Sequence, residues 1–98
     1  MDKHSFLSAF EKNSTEYVLP NGETIVLNEL TAGQRGRLAD VISQKPSTMH
    51  QTIVAMSLDF ISDDDSAAIG QLPSQAVEEM AEKVLAISGL DTEQAEKN

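Results

Sequence analysis

The chain has 98 residues, of which 40% are hydrophobic and 23% charged, and it carries seven Lys and Arg against sixteen Asp and Glu for a formal net charge of -9. That length supports one core burying roughly two thirds of the unfolded surface, and the composition excludes wholesale disorder. The charge repels phosphate backbones and anionic headgroups, so neither nucleic acid nor a membrane is an expected partner.

The opening Met1-Asp2-Lys3-His4-Ser5-Phe6-Leu7 meets Glu11 and Lys12 too soon to provide a signal peptide's apolar stretch, and no later run spans a bilayer. A cytoplasmic protein is expected. Phe6, Leu7 and Phe10 make a short apolar stripe at helical spacing, so residues 2 to 11 read as a mobile or docked helix. Two strand-like runs, 16–20 and 23–27, flank Asn21-Gly22, a pair that readily takes the positive φ angles of a type I′ turn. A two-residue turn sets Val18 opposite Ile25 and Tyr17 opposite Val26, which leaves apolar groups on both faces of the hairpin.

Thr31 and Gln34 have the form of a capping box, and Leu38, Val41 and Ile42 follow on one side of a helix over about 32–44 that stops before Pro46. Ser47 then caps a helix of about 14 residues with two apolar stripes. Met49, Ile53, Met56 and Phe60 form one, while Val54, Leu58 and Ile61 form the other. A helix apolar on two sides is expected at the centre. Ser62 and Asp65 suggest a second capping box, with Asp63 and Asp64 in the first turn of a short helix over about 63–71. After Leu72-Pro73-Ser74, a last helix turns Val77, Met80, Val84 and Ile87 inward and Glu78, Glu79, Glu82 and Lys83 to water, and Gly89 ends it.

The expected fold is therefore α+β and mainly α: an N-terminal helix and a β-hairpin followed by about four helices in one domain over residues 1–90, with a polar tail over 91–98. Residues 51–98 hold ten acids against Lys83 and Lys97, a net -8.

Chemistry is sparse. No cysteine is present, which excludes disulfides, thiolate metal sites and thiol nucleophiles. Asp63-Asp64-Asp65 invites a hard cation, but the glycine and terminal glutamate of an EF-hand loop are missing, and a plain helix start accounts for the acids. His4 and His50 lack an acidic or histidine companion at helical spacing. Asp65-Ser66-Ala67 is similar to the attachment site of acyl carrier proteins, yet Gly70 and Pro73 interrupt the helix that should follow the serine. Without a phosphate loop, nucleophile elbow or clustered base, no enzyme and no cofactor are expected. Flexible methionines suit an adaptable groove as well as an irregular core. The stripes favour core for Met49, Met56 and Met80. Phe6, Leu7 and Phe10, together with Met49 and Met56, are the candidate partner or self-association residues.

Three stretches together resemble the tail assembly chaperones of long-tailed bacteriophages, most closely the lambda type. They are Gly22-Glu23-Thr24-Ile25-Val26-Leu27-Asn28-Glu29-Leu30-Thr31-Ala32-Gly33-Gln34-Arg35, then Ile53-Val54-Ala55-Met56-Ser57-Leu58, then Ala86-Ile87-Ser88-Gly89-Leu90. The chain departs from the lambda pattern in being shorter before the second and third of these. The resemblance implies a non-catalytic protein of the infected cell, absent from the finished virion, that binds the tape measure protein and promotes tail tube assembly. It further implies a minor frameshift-extended form that recruits the tail tube protein, while a homo-oligomer is expected from the Phe6, Leu7 and Phe10 stripe and the hairpin's two apolar faces. Glu96-Lys97-Asn98 fits that expectation, since GAA AAA AAC spells the slippery sequence A AAA AAC; other synonymous codons would not. A secretion-type or partner-specific acidic chaperone is the alternative reading.

Overall fold

In the computed structural model, which describes residues 1–90, the elements run α1 (Lys3–Ser8), β1 (Ser14–Val18), β2 (Thr24–Asn28), α2 (Ala32–Gln44), a 3₁₀ turn (Pro46–Thr48), α3 (Met49–Ser57), α4 (Ser66–Ile69) and α5 (Ser74–Ile87). This is the expected mainly helical α+β architecture, with a single two-stranded antiparallel sheet among the described residues. The anticipated polar tail, 91–98, lies outside them.

The hairpin forms where expected but in a different register. Tyr17 pairs with Ile25, Glu16 with Val26 and Val18 with Thr24. The turn holds three residues, Pro20, Asn21 and Gly22, closed by Gly22 N–H donating to the Leu19 carbonyl at 2.9 Å and Leu19 N–H donating to the Glu23 carbonyl at 2.7 Å. Proline is the cause. A two-residue Asn-Gly turn needs an N–H from the residue before it, which Pro20 lacks, whereas the fixed φ of proline suits the first corner of a type I turn followed by a glycine at positive φ. Gly22 has φ +89°. The new register places Tyr17, Ile25 and Leu27 on one face and Glu16, Val18 and Val26 on the other. The first face packs on the core, where Leu27 is fully buried.

The Thr31 capping box starts α2 as expected. Gln34 N–H donates to Thr31 Oγ1 at 3.1 Å and Thr31 N–H donates to Gln34 Oε1 at 2.9 Å. Gln34 has a further task, because its Nε2 donates to the Met56 carbonyl at 2.9 Å. Asn28 Nδ2 likewise donates to the Ser57 carbonyl at 3.1 Å, and Ser57 Oγ donates back to the Val54 carbonyl at 2.7 Å. Those donors satisfy carbonyls that a longer helix would have used, so α3 stops at Ser57 instead of continuing to residue 61. Leu58 is already extended. Phe60 leaves the stripe and is exposed, a correction to its expected place in the core. Nor does Ser47 cap α3, since it lies in the 3₁₀ turn and the helix starts after Thr48 without a side-chain cap. The expected central position does hold, for Ile53, Val54 and Ala55 are fully enclosed and α5, α2, α4 and β2 all pack on it.

The second capping box does not form. Ser62 Oγ accepts from Asp64 N–H at 3.3 Å and Asp65 N–H donates to the Ser62 carbonyl at 2.9 Å, which makes a turn. The helix that follows is only four residues long. Asp63 is instead drawn to α2, where Arg37 pairs with it at 2.5 Å and Gln34 Nε2 donates to it at 3.1 Å. Helix α5 matches its expected span. It buries Val77, Met80 and Val84 and, beyond the expected set, Ala81 and Leu85, while Ile87 is only half-buried. Gly89, at φ +76°, ends it in a Schellman motif: Leu90 N–H donates to the Leu85 carbonyl at 2.8 Å and Gly89 N–H donates to the Ala86 carbonyl at 3.3 Å.

Candidate interaction surface

Most large apolar side chains are enclosed, so the exposed ones define the surface available to a partner. The first group is α1 and the residues after it. Asp2 caps α1, accepting Ser5 N–H at 2.8 Å, and hydrogen bonds from Ser5 hold its carboxyl below the usual carboxylate range. No residue of α1 is buried. Phe6 is 54% exposed, Leu7 59% and Phe10 71%. The Phe6 and Phe10 rings meet edge to face, with centroids 5.5 Å apart and planes at 74°, so the two aromatics cover part of each other and leave the rest to solvent. A six-residue helix gains too little from its own hydrogen bonds to persist in water without a packing partner.

The second group is the outer face of the hairpin. Val18 and Val26 are exposed there and lie diagonally across from one another, with Glu16 beside Val18 and opposite Val26. At the open end of the hairpin the ladder continues one pair further. Glu29 N–H donates to the Asn13 carbonyl at 2.8 Å, and Asn13 N–H donates to Glu29 Oε1 at 2.9 Å. Asn28, on this same face, donates to Asp59 Oδ1 at 3.1 Å, so the exposed Phe60 follows one residue from that end.

Met49 and Met56 do not belong to this surface. They are 4% and 6% exposed and sit in the core, which corrects their candidacy as contact residues and agrees with their stripe positions. Met56 reaches only the floor of a groove of about 550 Å³ between α2, α3 and residues 63–67, whose rim carries Arg37, Asp40, Lys45 and Asp64. Its rim is of mixed charge and the Arg37–Asp63 pair spans it, while Val41 and Ala67 line it beside the buried Met56. His50, Gln51 and Leu72 border a smaller depression of about 220 Å³. Val18, Val26 and Phe60 were missed as surface residues by sequence reasoning; the hairpin's double apolar face was the available signal for the two valines, and Phe60 carried none.

On the opposite side of the hairpin Tyr17 OH donates to Glu79 Oε2 of α5 at 3.1 Å. Burial pushes the Tyr17 hydroxyl above its ordinary pKa, and the hydrogen bond to Glu79 and that carboxylate's charge push the same way. Ser88 closes the other end. Its Oγ accepts the buried Leu30 N–H at 2.9 Å, and its carbonyl accepts from Arg35. Among the described residues, no group of three or more His, Asp or Glu is placed to hold a metal ion, and no helix is long and apolar enough to cross a membrane. Comparison of the chain with protein-family models, curated proteins and solved structures found no match.

Proposed function

We propose that the chain is a non-catalytic tail assembly chaperone of a long-tailed phage, acting in the host bacterial cytoplasm by binding the tape measure protein while tube subunits assemble. The observation that carries this reading is the exposed apolar group Phe6, Leu7 and Phe10, two of them aromatic, on a domain whose helices α3 and α5 bury their apolar stripes. Such a group can cover an apolar stripe on a long helical client, in the manner of an amphipathic helix binding a complementary apolar surface. The charge of -9 keeps a loaded complex soluble and away from DNA. Several copies bound along one repetitive client would add avidity. In this reading the tail tube protein is recruited through a frameshift-extended form, and no cofactor takes part.

Co-expression tests the proposal. The tape measure protein encoded in the same phage genome should become soluble and co-purify with the wild-type chain, and lose both properties with Phe6→Ser/Phe10→Ser. A tape measure protein that stays insoluble beside the wild-type chain would sink the reading. Full solubilisation by the double variant would remove the aromatic group from it.

A further inference from the structure

Two exposed apolar surfaces of this chain complement one another. We propose that in the absence of a client the N-terminal arm, residues 1–12, of one copy docks on the outer hairpin face of a second copy, and that the exchange is reciprocal. Lys3, Phe6, Leu7 and Phe10 fall at i, i+3, i+4 and i+7, so the arm presents one cation at the start of an apolar stripe. The hairpin face presents Val18 and Val26 around one anion, Glu16. The stripe covers the valines and Lys3 meets Glu16.

Charge favours the arm over the body as the element that makes the contact. Residues 1–12 contain Asp2 and Glu11 against Lys3 and Lys12 and have no net side-chain charge, so the rest of the chain carries the whole -9. Two such bodies repel, and although the exchange also brings them near, the neutral arm at the contact itself adds no repulsion to the acidic face it covers. Connectivity favours a second copy over the arm's own hairpin. The Asn13–Glu29 pair extends the ladder past Ser14, so the chain enters β1 from beyond the hairpin's open end, and no turn over 11–13 brings α1 back over Val18. The five side chains of each copy expose on the order of 1,000 Å² over a pair, the lower limit for a specific interface, which corresponds to a weak dimer. This inference shares the arm with the proposed function but does not require a client. A failed co-expression leaves it standing, and a monomeric chain leaves client binding standing.

Sedimentation of the full chain with two sets of variants tests the exchange. The wild type should dimerise reversibly with concentration. Phe6→Ser/Phe10→Ser removes the stripe and Val18→Thr/Val26→Thr removes the receiving face, the latter keeping β-branched residues in the strands. Each should weaken self-association by at least about tenfold, with circular dichroism unchanged. Mixed together, the two variants can form one of the two arm-on-face contacts, so they should associate more tightly than either variant alone and more weakly than the wild type. Lys3→Glu should weaken the dimer by about two- to fivefold, as expected for an exposed ion pair, and Glu16→Lys should restore it. Three results would overturn the proposal: a wild type that stays monomeric at high concentration, a Val18→Thr/Val26→Thr variant that dimerises fully by pairing arm to arm, or a mixture that associates no more tightly than either variant alone.

Discussion

Helices α1 and α5 begin from similar patterns, apolar residues three and four apart, yet they end in opposite conditions. Helix α5 runs for 14 residues and buries Val77, Met80, Ala81, Val84 and Leu85, while α1 runs for six and buries none. Capping does not explain the difference, for α1 has a side-chain cap in Asp2 and α5 has none at its start. Magnitudes do. A cap is worth about 1 kcal/mol, whereas each large apolar side chain taken from water contributes about 1.5–3 kcal/mol as an upper estimate. Capping decides where a helix starts, and neighbouring surface decides whether it is held. The body covers most of its apolar surface with itself, leaving out chiefly Val18, Val26 and Phe60; the arm's large apolar side chains all remain exposed.

The contrast breaks most visibly in the body. Leu85→Ala should lose about 2–5 kcal/mol of stability, since Leu85 is fully enclosed and rigid neighbours close such a gap poorly. Urea denaturation checks this, and a loss below about 1 kcal/mol would mean that α5 is held no better than α1. Ser88→Ala should cost somewhat less, about 1–3 kcal/mol, because it leaves the buried Leu30 N–H without its acceptor. Hydrogen exchange reports that loss at Leu30 itself, and unchanged protection there would show that another acceptor takes over.

Much of the fold was legible because it rests on local chemistry. The Thr31–Gln34 box places the start of α2, and the spacing of Val77, Met80 and Val84 together with Gly89 places α5. Failures occurred where a distant residue decided. The end of α3 depends on Asn28 and Gln34 reaching its carbonyls, and the acidic segment depends on Arg37 taking Asp63. The hairpin register was a local matter overlooked, since Pro20 withholds the N–H that an Asn-Gly turn requires. In the candidate surface, Phe6, Leu7 and Phe10 were readable because few apolar residues surround them in sequence. For Met49 and Met56 the stripes favoured the core, and only the flexibility of the thioether kept them among the contact candidates.

The smallest expected effect separates the two regions by pH. The folded arm lowers the pKa of Asp2 through hydrogen bonds from Ser5, so its contribution to α1 is full above the unfolded carboxylate value of about 3.9 and is lost as pH falls through the lowered value. Nothing in that cap involves the body, whose Leu30 N–H is held by a serine hydroxyl without charge in this range. Amide resonances followed by NMR during acid titration should therefore show Ser5 moving with the protonation of Asp2. Leu30 should keep its position until the whole domain unfolds. Asp2→Asn retains a capping oxygen and should remove the low-pH movement of Ser5 while leaving Leu30 unchanged. If Ser5 and Leu30 instead move together in the wild type, the arm is not an independent element, and α1 must be coupled to the body through contacts that its exposed side chains do not make.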